Sequence, residues 1–220
     1  MRSPANGMRL KNAVIMDINE KAGWLWLSGG AMNSMMAWLN EYHLNEFKEV
    51  PADKIKEYDR DVFAILKEPT KRYWDGITEW STCWGLHEWW QYDDIMEWFP
   101  HFDRYTLRYS EQIDQLKEVK HFIKLDNNVS DRIEALAKQY DLKCPYGIDK
   151  VRPRYKKDKT TIKIHETITP QFKKIVEESP ELSRKLEDYL APDLWYYKKA
   201  EQRCTNTGFT HLWTSLTTAT

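Results

Sequence analysis

Long apolar runs are missing from this sequence, and so is an excess of either charge. No stretch of the 220 residues approaches the roughly 20 apolar residues needed to cross a bilayer. The first residues also lack the basic, apolar and small-residue sections of a secretory signal. Both absences predict a soluble chain that is not secreted. Lys and Arg number 33 against 34 Asp and Glu, a net charge of -1, which excludes global attraction to nucleic acid or membrane. Cysteine is scarce: Cys83, Cys144 and Cys204 are odd in number and far apart, which fits a reducing compartment better than a disulfide framework. Cys83 and His87 stand one helical turn apart, but two ligands do not make a metal site, and none is expected. Internal repeats and low-complexity tracts are absent as well.

What is present suits one α/β domain with a substantial core. Ala13–Ile18 and Trp24–Leu27 are short apolar runs separated by Asn19-Glu20-Lys21-Ala22-Gly23, the pattern of a hairpin. A helix follows with Met32, Met35, Met36 and Leu39 on one side and Asn33 or Ser34 as its N-cap. Phe63–Leu66 and His121–Leu125 read as buried strands. Ile133, Leu136, Ala137 and Tyr140 mark one helix face, and Leu182, Leu186, Tyr189 and Leu190 another. Strands alternating with helices imply parallel pairing. The domain is expected to cover residues 1–202, with a Thr-rich tail over 203–220 that lacks a helical pattern.

The segment Phe63-Ala64-Ile65-Leu66-Lys67-Glu68-Pro69-Thr70-Lys71-Arg72-Tyr73-Trp74-Asp75-Gly76 carries the most chemistry. A strand runs into a helix that begins at Pro69, where a missing N–H costs nothing. Lys67, Lys71 and Arg72 cluster at that helix start, a composition suited to an anion. The alternative is an ordinary strand-to-helix turn with surface charges.

Lys67-Glu68-Pro69-Thr70-Lys71-Arg72-Tyr73-Trp74-Asp75-Gly76 resembles the signature with which sulfotransferases hold the 3′-phosphate of PAPS, 3′-phosphoadenosine 5′-phosphosulfate: Arg-Asp-Pro, two residues, Arg, two residues, Ser, Gly. Pro69, Arg72 and Gly76 keep the pattern; Lys67, Glu68 and Asp75 depart from it. Asp75 stands where a hydroxyl would donate to the phosphate, and a carboxylate there repels it unless it points away. Phe99–Tyr109, Val119–Asp126 and Ser179–Tyr197 resemble later family segments in the family's order, so the resemblance covers most of residues 12–200. It implies an α/β, sulfotransferase-like, P-loop-type three-layer sandwich with a central parallel sheet and an N-terminal β-hairpin. The activity it implies is sulfuryl transfer from PAPS to a hydroxyl, foremost of a carbohydrate. The alternative is a degenerate relative with a structural or interaction role, such as a phage virion component, so the location is cytoplasmic or virion-associated.

Two registers fit the loop that would hold the 5′ end of PAPS. One uses Asn19–Gly23. The preferred one makes Trp24–Ser28 the strand and Gly29, Gly30, Asn33 and Ser34 the loop, without the family's Lys. A loop Lys neutralises charge on the leaving phosphate, and losing such a group costs on the order of 10²–10³ in rate. Lys67 and Arg72 would take the 3′-phosphate, and His101 would be the general base. The basic run with Arg152 and Arg154 would hold phosphate or an anionic acceptor, or lie in water. Trp74, Trp80, Trp84, Trp89, Trp90 and Trp98 crowd one short region. One helix face cannot hide them all, which points to a surface for a protein partner or self-association.

Overall fold

The computed structural model describes residues 13–27, 32–84, 109–144, 166 and 169–206, with backbone alone at 32–33, 77–84 and 201–206. The two N-terminal apolar runs fold as a hairpin, β1 (Val14–Ile18) and β2 (Ala22–Trp26). Asn19 and Glu20 turn the chain at φ 50° and 55°, a left-handed conformation that Asn accepts readily and Glu less so. Ala22 and Gly23, expected in the turn, belong to β2. A Cβ at Gly23 would lie 2.7 Å from Ile15 Cγ2 and 2.8 Å from Tyr58 Cε1, so this glycine admits the ring of Tyr58 to the sheet.

Helix α1 spans Met32–Tyr42, and β3 (Phe47–Pro51) returns to the sheet. Asn33 and Ser34 therefore lie inside the first turn of α1, and neither is its N-cap. A 3₁₀ turn over Ala52–Glu57 leads to β4 (Val62–Leu66), the strand expected at Phe63–Leu66. Helix α2 is Pro69–Trp84. After a second 3₁₀ turn at Tyr109–Gln112 come α3 (Ile113–Lys117), β5 (His121–Lys124) and α4 (Val129–Gln139). Helices α5 (Thr169–Glu178) and α6 (Pro180–Asn206) complete the described chain. Helix α6 passes through Pro192 and beyond Gln202, so its end lies inside the segment expected to be a non-helical tail.

The strand order is β3-β1-β2-β4-β5 in a five-stranded sheet. β2 pairs in parallel with β4, and β4 with β5. β1 is antiparallel to both β2 and β3, so it alone runs against the other four. The expected purely parallel sheet with an appended hairpin is thus one mixed sheet, with the hairpin inside it. The strand alternation divides the core. Met16, Ile18, Trp24, Phe63, Ile65 and Ile123 pack with Met35, Trp38 and Leu39 of α1 and Ile133, Leu136 and Ala137 of α4. Ile15, Leu25, Ala64, Leu66 and Phe122 pack on the other face with Tyr109, Leu116 of α3 and Tyr196, Tyr197 and Ala200 of α6. Helices cover both faces, as the sequence predicts for an α/β chain.

This arrangement places the loops. From β2 the chain travels to β3, on one side; from β4 it travels to β5, on the other. The crevice beyond the carboxyl ends of β2 and β4 is a topological switch point, the usual position of a ligand in open α/β sheets. Gly23→Ala should destabilise the fold by about 1–3 kcal/mol through overpacking against Ile15 and Tyr58; urea denaturation of the two proteins checks this.

Candidate functional site

The parallel register Trp24↔Phe63 and Leu25↔Ala64 brings the exits of β2 and β4 side by side. The end of β2 and the Lys67–Arg72 segment, far apart in sequence, therefore lie at the same end of the sheet. Gly29 and Gly30 themselves lie outside the described residues, as do His101, Arg152 and Arg154. Asn33 is described by its backbone alone, in α1, and Ser34 is a half-buried residue of that helix. Lys67 and Arg72 lie on the β4–α2 connection.

Lys67, Arg72 and the backbone N–H groups at the start of α2 have partners within the chain, while the Lys71 side chain is exposed. Pro69 has no N–H. The Glu68 carboxylate accepts from the N–H groups of Thr70, at 3.1 Å, and Lys71, at 2.8 Å. The Glu68 carbonyl accepts from the Arg72 N–H at 2.9 Å. Glu68 thus caps the helix, setting a negative charge where the helix dipole favours one. The Lys67 ammonium, largely shielded from solvent, forms an ion pair with Asp75 two turns along the helix.

Arg72 does not face solvent. Its guanidinium is fully buried and donates to Asp193 Oδ2 of α6 at 2.7 Å, and Asp193 is fully buried too. The second oxygen of Asp193 accepts from the Ser110 N–H at 3.0 Å, and Oδ2 also accepts from the Tyr109 N–H at 3.2 Å. The ring of Tyr109 lies 4.8 Å from the guanidinium carbon, a cation–π contact. Its hydroxyl accepts from the Lys67 N–H at 2.9 Å and donates to the Lys67 carbonyl at 2.8 Å. Burial pushes the Tyr109 phenol well above the ordinary tyrosine range, outweighing the downward pull of Arg72, so it stays a neutral donor.

Asp193, Tyr109 and Glu68 are thus the residues that organise the site, and none was singled out from the sequence. The signal that points to Asp193 is Arg72 itself, which a helix carries toward the core and which must find a carboxylate there. The tryptophan region is described only at Trp74, which is half-buried with its ring 5.7 Å from that of Phe172. Trp195 of α6, not among the expected six, is 61% exposed. Among the described residues no group of His, Cys, Asp and Glu converges as a metal site, and no helix is long and apolar enough to cross a membrane.

Arg72→Met should cost about 3–5 kcal/mol, because it strands the buried Asp193 carboxylate, and Arg72→Met with Asp193→Leu should cost much less than the sum of the single changes. A double-mutant cycle in guanidinium chloride measures both.

Comparisons with known proteins leave the functional argument to this geometry: no family model matches the chain, and neither a curated protein nor a solved structure matches it.

Proposed function

We propose that the chain is a sulfotransferase-like α/β protein whose donor site has closed on itself, and that it serves as a structural or interaction module. The observation that carries this reading is the ion pair between Lys67 and Asp75. Both are departures from the 3′-phosphate signature, Asp75 the one that matters most, and they neutralise each other. An internal carboxylate takes up the cation that the resemblance assigns to the nucleotide. Glu68 on the helix N–H groups and Asp193 on Arg72 support the same reading. A phosphate arriving here would have to displace carboxylates already in place, one of them, Asp193, fully buried.

One observation favours the second reading, PAPS-dependent transfer of a sulfuryl group to a carbohydrate hydroxyl. The exits of β2 and β4 flank the switch point, so the end of β2 lies at the same end of the sheet as Lys67. In that reading His101 takes the acceptor proton, and Arg152 and Arg154 add positive charge.

Thermal-shift titration with PAP, the product nucleotide, separates the two. The wild-type chain should show no shift. Asp75→Ser removes the competing charge, and Lys67→Arg with Asp75→Ser restores the signature. The double variant at a PAP concentration 100 times its Kd should melt about 5–10 °C higher than without ligand. A shift of that size in the wild type would overturn the proposal in favour of the transferase.

The interaction role has its own measurement. Trp89→Ala with Trp90→Ala should weaken self-association or partner capture about 30-fold, from the roughly 2 kcal/mol that an interface anchor contributes, with the far-UV spectrum unchanged. Sedimentation of the variant tests this, and an unfolded variant would place the pair in the core.

A further inference from the structure

At the opposite edge of the sheet, residues 140–144 cross the ends of the strands and are tied down by polar side chains. The segment begins at the end of α4. Asp141 turns at φ 51°, the Asp141 N–H donates to the Lys138 carbonyl at 3.3 Å, and the Leu142 N–H donates to the Ala137 carbonyl at 2.7 Å. This is the Schellman closure of a helix, with buried Leu142 as its apolar contact.

Three ties follow. The Tyr140 hydroxyl lies 2.6 Å from Asp61 Oδ2 and 2.7 Å from His121 Nε2. The Lys120 ammonium also donates to Asp61 Oδ2, at 2.6 Å. The Lys21 ammonium donates to both the carbonyl and the carboxylate of Asp141 at 2.7 Å. At the far end, the Lys143 ammonium pairs with Glu46, and the Lys143 carbonyl accepts from Trp38 Nε1 at 3.0 Å. Buried His43 places Nε2 3.2 Å from that same carbonyl and Nδ1 3.2 Å from Glu46 Oε2.

The two histidines sit among different partners. Asp61 as a carboxylate only accepts, so the Tyr140 hydrogen points to it. The Tyr140 oxygen then accepts from Nε2–H of His121, which fixes the neutral tautomer. A second proton on His121 must enter a buried site beside Lys120, with Asp61 as the facing carboxylate among the described residues. At His43 both ring nitrogens face acceptors, Glu46 Oε2 and the Lys143 carbonyl. Among the described residues Lys143 is the cation paired with Glu46 there.

We propose that residues 140–144 form an acid-released strap that opens from its Tyr140 end and stays hinged at Lys143. Burial holds the His121 imidazole below the ordinary histidine range, with Lys120 assisting and Asp61 opposing. The tie it supports is complete above about pH 6.5 and weakens as pH falls from there. Burial pushes Asp61 up, but the hydrogen bonds from Lys120 and Tyr140 outweigh it, and the net shift is downward. The hydrogen bond from Lys21 lowers Asp141, and that from Lys143 lowers Glu46. These carboxylate ties persist until pH falls below about 4. His121 is therefore the first group to yield.

Amide hydrogen exchange of the full chain, referred to the intrinsic rate at each pH, tests the proposal. Between pH 6.5 and 5 the protection of Ala137–Leu142 should fall up to about tenfold per pH unit, as one proton is taken up, while Trp38, Leu39 and His43 keep theirs. His121→Gln should flatten the response. Tyr140→Phe, which keeps the ring, should be less protected at pH 7.5 and insensitive to pH over the same range; it decides the matter if the His121 variant unfolds. Constant protection of Ala137–Leu142 in the wild type, loss in step with α1, or a wild-type response in Tyr140→Phe would each overturn the proposal.

Discussion

The buried pair of Arg72 and Asp193 is the constraint to which the carboxyl edge of the sheet is fitted. A guanidinium out of water is tolerable only with a carboxylate in contact. Meeting that condition brings α6 against the first turn of α2 and places the Tyr109–Gln112 turn on the same carboxylate. Tyr109 then reaches back to both backbone groups of Lys67, where β4 ends. One ion pair thus joins three segments that the sequence separates widely, and the direction in which the β4–α2 connection leaves the sheet follows from it.

The same edge shows how an anion site and a structural site compete for one set of residues. Cations and free N–H groups at a helix start attract phosphate only while they lack internal acceptors. Here Glu68, Asp75 and Asp193 supply those acceptors. An internal carboxylate sacrifices no translational freedom to reach its cation, whereas a diffusing nucleotide must do so on each encounter. The carboxylates therefore need not be strong ligands to dominate the edge.

Features carried by local pattern were legible in the sequence. β4 and β5 follow from short apolar runs, and α4 from Ile133, Leu136 and Ala137 at helical spacing. The start of α2 follows from Pro69. β3 was not legible, because Phe47-Lys48-Glu49-Val50-Pro51 is an edge strand with a polar middle and lacks a continuous apolar signal. The end of α6 at Asn206 was not legible, because the Thr-rich stretch after Gln202 lacks a helical pattern. The candidate site was half legible. Lys67 and Arg72 stood out as cations, but their partners are decided by tertiary contact: Asp193 lies 121 positions from Arg72. Charge type is written locally, and whether a charge is spent internally is not.

β3 also governs how copies of this sheet can meet. The Asn19 N–H to the Glu46 carbonyl and the Ala52 N–H to the Ala13 carbonyl set the ladder with β1. Lys48 and Val50 therefore turn their backbone groups inward, and Phe47, Glu49 and Pro51 turn theirs outward. Two such edges related by a two-fold axis must align outward residues with outward residues. Centred on residue 48, the pairing sets Lys48 against its own copy. Centred on residue 49, it sets Glu49 against Glu49 and brings Pro51, which has no N–H, opposite Phe47. These two registers oppose like charges at the symmetry axis, and centring on residue 50 leaves only three residues of each strand paired. Among the described residues, like charge and a proline thus work against extension of this sheet from one molecule into the next across β3.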